Sequence, residues 1–494
     1  MDSVTLLLIY ASIEAVFYLI FTYYLVPLAN RRTEPHDYRD YVHLSDRHRL
    51  LLRILDRMER TCQSTNQNIR HVLQSFLEQW FHHHTADLST NPPPLRRVSI
   101  SLSSSCASSP DTSDEDESQD WTMSNDLGKR DADAFLSWAF FGKHYQDLTA
   151  WEHVELDKFF IILRERYNMV FKNGKSSTKT ARLLTLEDVD PLHRPLLLYV
   201  IIGLLNMLAG IVLRVIGFRR NVTNDGLVYW HRGCVNSNRL PLLFFHGIAP
   251  GGLTFYLPMV LGGIGMHGRS CFLFENRPIS CSLCFRAFRE KETVAGVLEA
   301  LETHIDPHTN VSLVGHSFGS CPITWLLHSP LRNRIKQLVL LDPVTILLSE
   351  PDVMNNFLYS RQVQFIPNKG STKLETILQS IGRTKIRLLA SSELFTEYYL
   401  RRHFSWYNSE LWLDDIPCGV QVAVCLAEND EIINAEKVKQ EVTLHNEHSE
   451  SSQVNLVYWE GVGHARCVTS IREWTQIRNI MLEQEAAIYK EKSR

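Results

Sequence analysis

Residues 313–320 read LVGHSFGS, a serine set between Gly315 and Gly319, with the apolar run VSLV (311–314) leading into it. An ordinary turn needs one glycine. Two of them, each two residues from Ser317, need a separate reason. A strand that turns abruptly into a helix supplies one. The corner residue takes strained backbone angles, and strand and helix approach too closely there for a side chain two positions to either side. The next stretch, FGSCPITWLLHS (318–329), has helical apolar spacing, so the strand–serine–helix context is met. Such a corner pushes the Ser317 hydroxyl out of the sheet edge. It also aims the first helical N–H groups at an incoming anion.

A serine hydroxyl is a poor nucleophile at neutral pH and needs a base. The chain has 21 histidines, so histidine alone selects nothing. His464 stands out because YWEGVGHA (458–465) places it in a glycine-rich loop straight after a strand-like run. An imidazole base needs an acid to fix its tautomer. Asp430, ending the strand-like VQVAVCLAEND (420–430), is the preferred acid. Asp342 in LVLLDP (338–343) is the alternative acid, with Glu428 and Glu431 as lesser rivals. The chain order Ser317, Asp430, His464 belongs to the α/β-hydrolases and not to the other serine-hydrolase folds.

From about residue 225 to 485 the chain resembles the α/β-hydrolase superfamily. HGIAPGG (246–252) resembles its His-Gly loop after the third strand, VSLVGHSFGS (311–320) its lipase-type serine signature, and AEND (427–430) and GVGHA (461–465) its acid and histidine loops. HRPLLLY (193–199), LLDPV (340–344) and RRHFSWYNSELW (401–412) further resemble a subgroup of membrane-associated hydrolases of eukaryotic microbes and plants. The resemblance implies Ser317 as nucleophile, His464 as base and Asp430 as its orienter. It implies an oxyanion hole from the backbone N–H groups of Phe318 and Ile248, such donors being worth about 3 to 4 kcal/mol each. His246 and His316 read as structural.

The resemblance implies a mostly parallel sheet in an α/β-hydrolase domain, over 225–343 and 418–485. The residues agree independently, because continuous apolar strands such as LPLLFFHG (240–247) alternate with helical stretches. Far more residues separate Asp342 from Asp430 than the bare fold needs, so 344–417 are expected to form a helical cap. That stretch is aromatic: Phe357, Tyr359, Phe365, Phe395, Tyr398, Tyr399, Phe404, Trp406, Tyr407 and Trp412. Most belong to the cap's own core, and a minority are candidates for an acyl pocket.

The remainder is organised by hydropathy and composition. Residues 4–28, VTLLLIYASIEAVFYLIFTYYLVPL, carry one charge, Glu14, and exceed the roughly 20 residues a bilayer core requires. No positive front and no small-residue cleavage site mark a signal peptide, so 1–30 read as a transmembrane anchor, a cleaved signal being the alternative. Arg31 and Arg32 follow, and positive flanks favour the cytosolic side for the catalytic domain. Residues 31–84 hold amphipathic helices, including RLLLRILDRMER (49–60), which either lie near the membrane or pack on the rest of the protein.

Residues 85–128 are rich in Ser, Pro and acidic residues and are expected to be a disordered linker. Ser99, Ser113 and Ser118 have kinase-site flanks there. Residues 129–224 are a helical region. Within it Thr149 stands three residues before Glu152, a capping-box spacing. A second apolar segment, 195–213, either spans the membrane, lies in its interface or packs on the following domain.

The totals exclude some classes. A net charge of −4 gives no electrostatic reason for nucleic acid. Ten cysteines are too few for a disulfide scaffold, and Cys281 with Cys284 lacks a second pair at metal spacing, so no metal and no organic cofactor is expected. Serine at the elbow points to acyl transfer through a covalent ester. The chain reads as a membrane-bound serine hydrolase of carboxylic, lipid-like esters. An acyltransferase on the same residues and an inactive hydrolase-fold interaction protein are the alternatives.

Overall fold

The computed structural model describes residues 2–31, 44–83, 121–122, 127–234, 239–263, 268–359, 384–449 and 452–492. They fall into two compact units, Met1–Arg32 with Asp188–Arg494, and Thr33–Glu187. The division at 187/188 lies inside the segment 129–224 that the sequence reading kept whole. Most of the expected linker (85–120 and 123–126), with Ser99, Ser113 and Ser118, lies outside the described residues, as does the stretch 360–383 of the expected cap, with Phe365.

The smaller unit is mainly helical. Its helix Leu44–Thr65 buries Leu51, Ile54, Leu55, Met58 and Cys62, one stripe at helical spacing. Arg47 on that helix pairs with buried Glu155 at 2.9 Å. Glu155 belongs to the helix Ala150–Tyr167, whose start carries the expected box. The Glu152 amide donates to Thr149 Oγ1 at 3.3 Å, and the Thr149 amide donates to Glu152 Oε2 at 2.8 Å.

The larger unit is built on one eight-stranded sheet. Its strands are β1 (Arg219–Val222), β2 (Val228–Arg232), β3 (Leu242–Phe245), β4 (Cys271–Phe274), β5 (Val311–His316), β6 (Ile335–Leu341), β7 (Gln421–Ala427) and β8 (Val454–Trp459). Their spatial order is 8-7-6-5-3-4-2-1. β2 runs antiparallel to both its neighbours, and the other pairings are parallel. This is the α/β-hydrolase arrangement, with the sheet starting at Arg219 and not near 225. The early start is invisible to hydropathy because β1 reads RRNV, with both arginines exposed. Charge on an edge strand blocks further strand pairing.

The central strands are apolar on both faces because helices cover both. Period-2 alternation divides them between two cores. Leu243, Phe245, Leu313, Leu338, Leu340, Val424 and Leu426 enter one. Leu242, Phe244, Val314, Val339, Leu341, Ala423 and Cys425 enter the other.

The helices needed below are α1 (Ser3–Ala29), α2 (Leu196–Val215), α3 (Leu253–Gly262), α4 (Glu290–His304) and α5 (Ser320–Leu327). They continue with α6 (Pro351–Phe357), α7 (Leu394–Arg402), α8 (Ala435–His448) and α9 (Ile471–Lys492). α6 and α7 belong to the insertion between β6 and β7. Tyr399 of α7 and Phe404 pack over Phe318, with ring centroids 5.6 and 5.8 Å away. α9 is tied to the sheet by a buried ion pair, Arg269 to Glu485 at 2.7 Å.

α1 and α2 are each long and apolar enough to cross a membrane. Glu14 on α1 caps α2, its carboxylate accepting from the Leu196 and Leu197 amides at 2.8 and 3.0 Å. The lone charge of the first apolar segment therefore satisfies amides that a helix start leaves unpaired. Phe17, Phe21 and Ala29 of α1 share a buried cluster with Leu394 and Phe395 of α7.

Candidate active site

β5 ends at His316, and Ser317 follows with a φ of +52° before α5 begins. A left-handed angle on a side chain with a Cβ is strained. The two glycines are needed for space. A Cβ on Gly315 would lie 2.6 Å from the Gly319 carbonyl oxygen, and a Cβ on Gly319 would collide with the Phe245 carbonyl at the end of β3. The Ser320 hydroxyl donates to the Ser317 carbonyl at 2.6 Å and braces the corner.

The loop after β8 brings His464 to this corner. Its Nε2 accepts from Ser317 Oγ at 3.0 Å, and its Nδ1 donates to Asp430 Oδ2 at 2.6 Å. Asp430 follows β7, and its other oxygen accepts from the Ile432 and Ile433 amides at 2.7 and 2.9 Å. Ser317, His464 and Asp430 thus form one continuous hydrogen-bonded line. Burial alone would lower the His464 pKa. The adjoining Asp430 carboxylate, with Asp342 and Glu431 nearby, outweighs it and lifts the value to about 9.

The other acids have different partners. Asp342 is fully buried, with a φ of +44°. It accepts from the Ala427 amide at 2.8 Å and the Ala465 amide at 3.3 Å, and lies 3.6 Å from His316 Nε2. No hydrogen bond joins it to His464 among the described residues, because its two oxygens face backbone amides and His316. Glu428 accepts from the Gly461 amide at 2.7 Å, and Glu431 from the His464 amide at 2.8 Å. Both brace the histidine loop. Gly463 leaves room for this, since a Cβ there would come 2.8 Å from Glu431 Oε1.

Sequence reasoning missed Tyr256, whose hydroxyl lies 2.8 Å from His316 Nδ1 and forms a buried Tyr256–His316–Asp342 row behind His464. Desolvation pushes the His316 pKa down. Burial alone would raise that of Asp342, but His316, His464 and the Ala427 amide hold it below the usual carboxylate range. Tyr256 stands in the apolar stretch LTFYLPMVL (253–261), and nothing there pointed to His316.

His246 organises its loop. Its Nδ1 donates to the Gly247 carbonyl at 2.8 Å and its Nε2 accepts from the Asn276 amide at 3.0 Å. Burial lowers its pKa to about 4, so it stays neutral. A Cβ on Gly247 would meet Ser317 Cβ at 3.0 Å, which places the Gly247–Ile248 turn beside the serine. The Ile248 and Phe318 amides make no hydrogen bond to a described residue.

A narrow cleft adjoins the corner, lined by Phe245, Phe274, Phe288, Phe318, Pro322 and Trp325 among others. Ser317 and His464 do not line it, so the chemistry sits next to this apolar space and not within it. Among the described residues, two sets of side chains converge closely enough to hold a cation, His316/Asp342/Cys467 and Asp342/Asp430/His464. In both, carboxylate oxygens are already engaged by amides or by His464. Cys281 is buried and Cys284 half-buried, and both are free thiols.

No protein-family model matches the chain, and no curated protein matches its sequence. Among solved structures, a soluble variant of monoglyceride lipase from Saccharomyces cerevisiae is similar at 16% identity. The match covers 55% of this chain and 96% of that one, with a TM-score of 0.37. Naproxen esterase from Bacillus subtilis is similar at 10% identity, over 57% and 97%, with a TM-score of 0.37. An alpha/beta hydrolase fold protein from Chitinophaga pinensis is similar at 15% identity, over 56% and 98%, with a TM-score of 0.35.

Proposed function

We propose that this chain of α/β-hydrolase fold is a membrane-bound serine hydrolase that cleaves carboxylic esters of lipids through an acyl-enzyme. The observation that carries the reading is the unbroken line from Ser317 Oγ through His464 to Asp430, at a strained corner. In this mechanism Ser317 Oγ attacks the ester carbonyl while His464 Nε2 takes its proton. Asp430 holds the imidazole in the required tautomer and stabilises the imidazolium. The tetrahedral oxyanion is received by the Phe318 and Ile248 amides, whose hydrogens have no competing partner among the described residues. His464 then returns the proton to the departing alcohol. Water, activated by the same nitrogen, releases the acid and frees Ser317.

The lipid character of the substrate is supported by location. Two apolar helices belong to the same unit as Ser317, and esters with long acyl chains already reside in a bilayer.

A fluorophosphonate probe tests the reading directly. Wild-type protein should become labelled and Ser317→Ala should not. Equal labelling of the two, or none in either, removes it. Product analysis with and without an added acceptor alcohol separates hydrolysis from acyl transfer on the same residues.

A further inference from the structure

Helix α2 has two opposed faces. Tyr199, Ile202, Asn206, Gly210 and Leu213 point inward at helical spacing. The Tyr199 hydroxyl donates to Glu393 at 2.9 Å, and Thr254 Oγ1 donates to Asn206 Oδ1 at 2.6 Å. A Cβ on Gly210 would touch the Trp230 ring at 3.3 Å, and Leu213 joins the core beside Phe218. The contacts run from the first turn to the last, so the helix is bonded lengthwise to the hydrolase unit.

The opposite face carries Leu197, Ile201, Leu204, Leu208, Ile211 and Val215, exposed by 45–80%. No charged side chain interrupts that face. Exposed Phe255 lies on α3, which bonds α2, and exposed Leu388 and Leu389 lie by Arg194, just before α2. A continuous apolar surface of this extent marks an interaction site.

We propose that α2 lies flat on a lipid bilayer, with its outer face in the acyl region, and does not cross it. Twenty residues rise about 30 Å, the thickness of the hydrocarbon core. A crossing α2 would therefore carry its whole length of partners into lipid, including Glu393, Thr254 and the β1–β2 edge with exposed Arg219 and Arg220. An open sheet edge and charged groups do not sit in hydrocarbon.

Three observations favour a bilayer over a second copy of the chain as the occupant. α1 is apolar around its circumference, with 11% of its most apolar window buried, which is a lipid-facing composition. α1 meets the start of α2 through Glu14, so the two apolar surfaces are continuous. Arg214, Arg219 and Arg220 are exposed at the other end, suited to anionic headgroups. The inference deepens the membrane part of the proposed function and is independent of its ester chemistry.

The test places an environment-sensitive fluorophore singly at positions 197, 204 and 211 of the full-length chain. The protein is reconstituted in phosphatidylcholine vesicles with a minority of phosphatidylserine and a lipid-borne quencher held either shallow or deep. All three positions should be quenched alike, and more strongly by the shallow quencher. Deepest quenching at 204, with 197 and 211 shallow, would mean a crossing helix and overturn the inference. Absence of lipid quenching, with or without a shift in emission, would mean a protein partner or water and also overturn it. Failure of the whole chain to sediment with the vesicles would remove the membrane reading itself.

A second arm uses Leu204→Lys with Leu208→Lys. kcat/KM on a vesicle-embedded ester should fall about tenfold while that on a water-soluble ester is unchanged. Loss on neither substrate would count against the inference. Activity lost on both would leave the decision to the depth profile.

Discussion

Ser317 holds a left-handed backbone angle, and the side chains around it sort by what they bond. Asp430 touches His464, whereas Asp342 touches backbone amides and His316. Asp430→Asn should therefore lower kcat by about 10⁴-fold with little change in KM, since it removes the tautomer lock. Asp342→Asn should cost much less activity, and steady-state kinetics on a water-soluble ester would rank them. His464 must be neutral to accept the serine proton, and its pKa is raised to about 9. kcat/KM should then climb with pH through a limb near 9. Asp430→Asn removes the negative partner and should shift that limb to lower pH. An unmoved limb would mean that another group titrates.

At this scale the three aligned residues were legible because each stands in a local pattern of strand, glycine and loop. The bracing roles of Glu428 and Glu431, named from the sequence only as rival acids, and the place of Tyr256 were not, because their partners are set by tertiary contact and no spacing announces it.

The strand–corner–helix element depends on absent side chains. Gly319→Ala forces a methyl against the Phe245 carbonyl, so the corner or β3 must shift. Overpacking of this kind costs about 1 to 3 kcal/mol or more. Thermal unfolding should show a clear drop in Tm, with loss of probe labelling even where the protein folds. The Arg269–Glu485 pair makes a matching case for α9. Both side chains are nearly solvent-free, so Glu485→Ala should destabilise by about 3 to 5 kcal/mol in denaturant titration. The central strands were readable from unbroken apolar runs, and the helix after Thr149 from its capping spacing. β1 was not, because an edge strand is protected by the same charges that hide it from a hydropathy reading.

Across the larger unit, the two apolar helices are parts of the folded body. Glu14→Ala should leave the Leu196 and Leu197 amides without their carboxylate and cost about 1 kcal/mol, read as a lower unfolding midpoint. Both apolar segments were obvious in the sequence. Their link was not, since one acid in an apolar run carries no information about a partner in a distant segment. Nor did composition disclose that Phe17 and Phe21 complete the packing around Leu394 and Phe395.

That shared cluster bears on how the protein is made. Asn30 leaves the ribosome 372 residues ahead of Arg402, whose guanidinium it meets at 3.4 Å. Closing so long a loop is entropically slow work for a free chain. α1 can therefore settle on α2 through Glu14 early, whereas its contacts with α7 can form only once residue 402 has been made. Removing α1 would strip the insertion between β6 and β7 of buried neighbours around Leu394 and Phe395.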